Sequence, residues 1–394
     1  MKLTVIGLGQ CGCRIADHFA RLNLKARAER KAVIAPHVLA VNTDQADLTG
    51  LKFIRNDYMH RILIGLRQTL GHGVGKINEL GAKLAKEDGD KVMDAIRAEP
   101  RFYETHAFLI VAGAAGGTGS GGIPVIAKMI KERYLNKPIL ALVVLPFEHE
   151  QTTEARSVYN TATCLKSIYD VVDAVFLADN QRYVRKDMSL MNNMDKINRQ
   201  IAEPFYDLLC AGEVTKGKFV GSRTVDAGDV LASLEGWTTV GIGRTVLPGM
   251  RFPWEINKKK FRDKALESFR GTRAMDATVH ELSIDCDPRD AGKALYIIAG
   301  PGREMNMDMV KNVSSYIKEL SPNATIRGGD FPGEKHFIDV AVIFSQLSSV
   351  PRVRDFYEQA TVYAAEYEGQ LMETKQRIEE MSDVARDLPN LLGE

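Results

Sequence analysis

Glycine crowds three stretches of this 394-residue chain in a way that points to a bound anion. Gly113-Ala-Ala115-Gly116-Gly117-Thr118-Gly119-Ser120-Gly121-Gly122 carries six glycines in ten residues, directly after the apolar run at 107–111. A loop stripped of side chains lets backbone N–H groups approach a ligand closely. The residues that follow, 124–134, read as an amphipathic helix with Pro124 in its first turn. A helix N-terminus adds unpaired N–H groups and a partial positive charge. Gly7-Leu-Gly9-Gln10-Cys11-Gly12 repeats the arrangement after the first strand and fits G-x-G-x-x-G. Thr69-Leu-Gly71-His72-Gly73-Val-Gly75-Lys76 does so a third time. Three such loops suit a chain of phosphates better than a single one. No G-x-x-x-x-G-K-S/T is present, so neutralising charge is expected from backbone N–H groups and a magnesium ion. Farther along, Asp226 and Asp229 stand three apart before a short helix at 230–234. That spacing reads either as an N-cap with an acidic first turn or as two carboxylates able to align one water.

The elements carrying these residues follow from hydrophobic patterning. Strands are expected at 3–6, 38–41, 61–64, 107–111, 139–145 and 174–177, and helices at 13–20, 76–86, 90–97, 124–134 and 154–169. Apolar strands alternating with helices predict a parallel sheet covered on both faces, with ligands at the carboxyl ends of its strands. A helical stretch at 189–212, broken by Pro204, leads to a Gly/Lys loop at 216–222. Strands at 278–285, 293–299 and 336–344, with a helix at 307–320, predict a smaller α+β unit. From 354 to 386 Phe356, Ala360, Tyr363, Tyr367, Leu371, Ile378 and Met381 recur at helical spacing. This tail reads first as a helix packed on its own protein and second as one that binds an unidentified partner. The expected organisation is 1–188, a nucleotide-binding domain; 189–217, a central helix and linker; 218–350, the α+β domain; and 351–394, the tail.

A net charge of +1 gives no basic stripe, which speaks against a nucleic-acid binder. Five scattered cysteines fit a reducing compartment, and Cys11 and Cys13 have no second pair or histidine cluster to complete a zinc site. The N-terminus starts a strand at once, and no apolar run reaches the roughly 20 residues of a membrane span, so a cytoplasmic protein without a membrane span is expected.

Gly116-Gly-Thr-Gly-Ser-Gly121 resembles the signature loop of the tubulin/FtsZ superfamily, and Gly9-Gln10-Cys11-Gly12 is similar to its first phosphate loop in the tubulin form. Val41-Asn42-Thr43-Asp44, residues 69–79, Pro146-Phe147-Glu148 and Val225-Asp226-Ala-Gly-Asp229-Val230 resemble the later landmarks, in order. The likeness covers about residues 1–345 and, through Gly-His-Gly-Val-Gly, is nearest to the CetZ branch of cell-shape tubulins. It implies a GTPase that binds GTP or GDP with Mg2+ and assembles with itself, head to tail, into protofilaments. Carried over, Gly9, Gln10, Cys11 and Gly12 contact phosphate, with Gln10 and Asp44 near the metal and Asn42 beside them. Gly71, Gly73 and Gly75 wrap the β- and γ-phosphates, as do Ala115, Gly116, Gly117, Thr118, Gly119, Ser120 and Gly121. Glu150 and Arg156 fall to the ribose, with Glu148 and Glu154 competing, and Asn180 and Asn198 read guanine. Met194 stands where the family has an aromatic residue. Asp226 and Asp229 act as the catalytic pair, reaching the nucleotide of the neighbouring subunit. Two other readings stay open: a nucleotide-binding filament protein with little hydrolysis, and a cell-division protein of FtsZ type. A dehydrogenase, suggested by G-x-G-x-x-G with Asp44 on the ribose, has no use for the loop at 116–121.

Overall fold

Six apolar runs become the parallel half of a sheet. They are β1 (Leu3–Leu8), β2 (His37–Asn42), β3 (Arg61–Leu63), β4 (Ala107–Gly113), β5 (Ile139–Leu145) and β6 (Ala174–Asp179). The computed structural model describes residues 1–184, 190–211, 213, 225–247, 261–333 and 336–365, without the side chains of 190–192 and 261–268. Strand order is β3-β2-β1-β4-β5-β6, all parallel. Ile6, Phe108 and Ile110 enter the core on one face, and Val5, Leu109 and Val111 enter the core on the other. Burial on both faces explains why these strands lack polar alternation.

The connecting helices are α1 (Gly9–Arg30), α2 (Gln45–Thr49), α3 (Leu66–Thr69), α4 (Asn78–Glu87), α5 (Gly89–Ala98), α6 (Thr118–Arg133), α7 (Glu148–Thr153) and α8 (Ala155–Tyr169). Strand order reverses beside β1 and β4, so a crevice opens at their carboxyl ends, where ligands bind in such sheets. Both glycine loops open there.

Two helices, α9 (Leu190–Ala202) and α10 (Phe205–Cys210), flank Pro204, which caps α10. Then come α11 (Ala227–Ala232), β7 (Gly236–Val246), α12 (Phe261–His280), β8 (Ala291–Pro301), α13 (Met307–Leu320), β9 (Thr325–Gly333) and β10 (Phe337–Leu347). These strands extend the same sheet in the order β7-β10-β8-β9. Strand β7 joins β6 in parallel, β10 is antiparallel to both neighbours, and β9 lies parallel on the edge.

The strand expected at 278–285 is not formed. Thr278 belongs to α12, where its hydroxyl donates to the Ala274 and Val340 carbonyls at 2.8 Å each. Packing on β7 and β10 overrides the β-propensity of Thr278 and Val279. Helix α12 reaches β7 because Gly241 and Gly243 have no side chains; a Cβ on Gly243 would overlap the Ala274 carbonyl. Strand β9 escapes sequence reading for a related reason. Its Gly328 yields to the Tyr296 ring, and Pro332 is tolerated on an edge. Helix α6 starts at Thr118 rather than at 124, so Pro124 lies inside it and the last glycines of the loop are helical. Residues 351–365 form a helix whose Val353, Phe356 and Ala360 are buried in the body, as a self-packed tail requires. The rest of that tail and the loop at 216–222 lie outside the described residues.

His37 begins β2 and is 3% exposed. Burial, then the charges of His60 and Arg55, push its pKa down to about 4. Neutral His37 therefore favours the fold fully above the unfolded value near 6.5, and this contribution is lost as pH falls towards 4. The ceiling is about 3 kcal/mol. Urea midpoints in metal-free buffer should fall between pH 7 and pH 4.5, and His37→Leu should flatten that slope. An equal slope in the variant would assign the acid sensitivity to other groups.

Candidate functional site

Helices α1 and α6 start at the carboxyl ends of adjacent strands, and neither has a side-chain N-cap or an acidic first turn. Two helix N-termini thus present unpaired amides and aligned dipoles to one crevice, an arrangement that favours an anion. Gly9 has φ of +66°, and a Cβ there would stand 2.8 Å from the Gly119 amide nitrogen. The two glycine loops touch because neither carries a side chain at that point. A Cβ on Gly116 would meet nothing within 4 Å, so open space lies beside that loop.

Side chains tie the loops together. Thr43 and Thr118 hydroxyls lie 2.6 Å apart in the interior. The Gly73 amide donates to the Thr43 carbonyl at 3.2 Å, and the Gln45 amide donates to that of Gly71 at 3.0 Å. Asn160 on α8 donates through Nδ2 to the carbonyls of Lys76, Ala115 and Gly116 at 2.8, 3.1 and 3.1 Å. Lys76 sits at φ of +61°, a strained value for a residue with a Cβ, and pairs with Glu154. Hydrogen bonds from Lys76 and Ser157 hold the Glu154 carboxyl below its ordinary range.

The resulting cleft measures about 310 Å³. Of the residues expected from sequence, Gly9, Gln10, Cys11, Asn42, Asp44, Gly73, Ala115, Gly116, Gly117, Thr118, Gly119, Glu150, Asn180 and Met194 line it. Asn180 Oδ1 is buried there with no hydrogen-bond partner, an acceptor left for a ligand's N–H. Gln10 Nε2 donates to Asp47 at 2.7 Å, which leaves its Oε1 free of that bond.

Gly12, Gly71, Gly75, Ser120, Gly121, Arg156 and Asn198 do not line the cleft. Gly12 and Gly121 are demanded by packing, because a Cβ on either would overlap a carbonyl, of Val111 and Asn78 respectively. Ser120 donates to the Gly116 carbonyl, two residues before its own helix begins. Arg156, expected at the ribose, pairs with Glu79 and donates to Asn78 Oδ1 at 3.1 Å. Asn198 is buried on α9, four residues beyond Met194.

Residues 2–186 match the model of the tubulin/FtsZ family GTPase domain, and 187–362 match that of the tubulin-like CetZ C-terminal domain. Tubulin-like protein CetZ1 of Haloferax volcanii is 33% identical over 376 residues, 91% of this chain and 92% of that protein. The chain belongs to the CetZ branch of the tubulin/FtsZ family. The GDP-bound CetZ1 monomer superposes with a TM-score of 0.78 at 31% identity, covering 92% of this chain and 99% of that one. The GTPγS-bound protofilament of CetZ2 from the same organism gives 0.77 at 29% identity, covering 93% and 100%.

Within this CetZ fold, Asp226 and Asp229 lie away from the cleft of their own chain and cap α11 reciprocally. The Asp229 amide donates to Asp226 Oδ1 at 2.8 Å, and the Asp226 amide donates to Asp229 Oδ2 at 3.4 Å. Arg327 of β9 stands 3.5 Å from Asp229 Oδ1. The cap reading of the pair is therefore met, and the cap fixes where the carboxylates point.

Four residues at this CetZ site carry no role of their own in the sequence reading. Asp47 bridges Gln10 and Asn42, at 2.7 and 3.0 Å; its signal was the Asp44-x-x-Asp47 cap of α2. Lys76 lines the cleft while its ammonium pairs with Glu154. Phe147 lines the cleft with Met194, and both also line a neighbouring hollow of about 320 Å³. Asn160 carried no sequence signal. Among the described residues no helix is long and apolar enough to cross a membrane.

Proposed function

We propose that this chain binds GTP in the cleft, assembles head to tail, and hydrolyses GTP where the α11 carboxylates of one subunit meet the cleft of the next. The observation that supports this reading is that the α11 carboxylates do not line the cleft of their own chain. The cradle is lined by two helix N-termini and by Lys76, Gln10 and Asp44, but not by Asp226 or Asp229. A contact that joins one end of a subunit to the other end of the next does not close and yields filaments. The protofilament of CetZ2 supports the same assembly here.

The residues fit the nucleotide and its ion. Uncapped amides of α1 and α6 receive the phosphates, and Lys76 compensates their charge. Gln10 Oε1 and Asp44, with Asp47 beside them, offer the oxygen donors that a hard cation takes. Magnesium, when bound, spreads the charge of the terminal phosphates. Asn180 Oδ1 accepts from guanine, whose edge presents N–H donors, while Phe147 and Met194 cover the base. We assign the ribose to Glu150, a choice supported by its place in the cleft while Glu154 is engaged by Lys76. We assign the domain limits as read from sequence, and a role in cell shape as the CetZ branch implies.

Sedimentation tests assembly directly. Protein with GTP and magnesium should pellet as filaments, and protein with GDP should remain in the supernatant. Pelleting that ignores the nucleotide would contradict the proposal.

A further inference from the structure

We propose a zinc site at the end of the sheet opposite the cleft, formed by His37, His60 and Glu99. One ligand atom from each lies within 4.8 Å of the other two. The three come from the start of β2, the turn before β3 and the residue that ends α5. Together they line a cavity of about 220 Å³. His37 is 3% exposed and its Nδ1 is buried without a hydrogen-bond partner, an unsatisfied polar group that needs an explanation.

The second layer suits a metal-bound imidazole. His60 Nδ1 lies 2.7 Å from Asp57 Oδ1, which keeps the proton on Nδ1 and leaves Nε2 as the ligand atom. Zinc-bound histidines as a rule donate their other ring N–H to a carboxylate, a backbone carbonyl or water, and Asp57 is such a partner. Asp57 Oδ1 also accepts from the Met59 and His60 amides at 3.0 Å each, so the turn that presents His60 is fixed. Behind it, Arg61 donates to the carbonyls of Leu48, Thr49, Leu51 and Ile54. The charges agree: Glu99 and Asp57 outweigh Arg55, which lines the same cavity.

Two imidazoles and one carboxylate favour Zn2+ over Mg2+, and three ligands leave one position open. In a tetrahedral shell ligand atoms stand roughly 3.4 Å apart, so atoms within 4.8 Å of one another must draw in by up to about 1.4 Å. Glu99, half-buried at a helix end, is the residue able to make that movement. The site is separate from the nucleotide cleft, because His37 and Asn42 occupy opposite ends of β2, about 17 Å apart. A bound ion would clamp β2, the β3 turn and α5 together.

Cobalt replaces zinc and reports its geometry by visible absorption. We expect the chelator-stripped full chain, without nucleotide and in excess magnesium, to take up one Co2+ with an intense tetrahedral spectrum. His60→Ala and Glu99→Gln, both at partly exposed positions, should each lower affinity at least tenfold, and Asp57→Asn by roughly 10–100-fold. Zinc should raise the melting temperature of the wild type more than that of Glu99→Gln at the same concentration. Absence of saturable uptake by the wild type would overturn the site. So would equal affinity in the His60 and Glu99 variants, which would mark binding elsewhere on the surface.

Discussion

Asp229→Asn is expected to bind GTP as the wild type does, to form filaments, and to turn GTP over at least about 100-fold more slowly. Phosphoryl transfer draws mainly on positioning and charge, and a carboxylate that orients water loses most of that role as a neutral amide. Asparagine is preferable to alanine because Asp226 and Asp229 also cap α11. Losing a cap costs about 1 kcal/mol and would blur the reading. Filaments of the variant should persist longer, since GTP is consumed slowly. The measurements are phosphate release at saturating GTP, equilibrium binding, and pelleted mass over time. Turnover equal to wild type would remove Asp229 from the reaction and leave it a structural cap.

Two glycines of one motif should respond in opposite ways. Gly121→Ala places a Cβ over the Asn78 carbonyl and 2.7 Å from the Ala82 nitrogen, so α4 and α6 must move apart. Overpacking of that kind should cost on the order of 3 kcal/mol. Gly116→Ala meets open space and should fold with an unchanged melting temperature. Its methyl group instead intrudes on the ligand, and nucleotide affinity should fall roughly tenfold, about 1.4 kcal/mol. Thermal melts of both variants with and without GTP separate the two effects. Equal behaviour of the pair would contradict the division of the loop into a packing half and a binding half.

The first half of the fold was legible because strands buried on both faces are written as apolar runs, and β1 to β6 fall where those runs lie. The second half was harder. Strand β9 contains Gly328, Gly329 and Pro332, each placed by a neighbour or an edge rather than by propensity. Thr278 reads as a strand residue, whereas the hydroxyl partners that hold it in α12 are set by the fold. Helix α6 was begun too late, since Gly119, Gly121 and Gly122 are helical for reasons of packing against β1 and α4. At the site, backbone donors announced themselves as glycines. Lys76 did not, because its place in the cleft depends on a left-handed turn and on its pairing with Glu154. The cluster of His37, His60 and Glu99 was invisible for a similar reason: only the strand order brings residues so far apart in sequence to one cavity.

The shared active site is tested most directly by GTP turnover per protomer as protein concentration rises, with magnesium present. We expect almost no turnover below a critical concentration and a steep rise above it, because the carboxylates reach GTP only across a subunit contact. A constant, non-zero rate per protomer at every concentration would mean that one chain hydrolyses GTP alone, and would contradict catalysis by Asp226 and Asp229 of a neighbour.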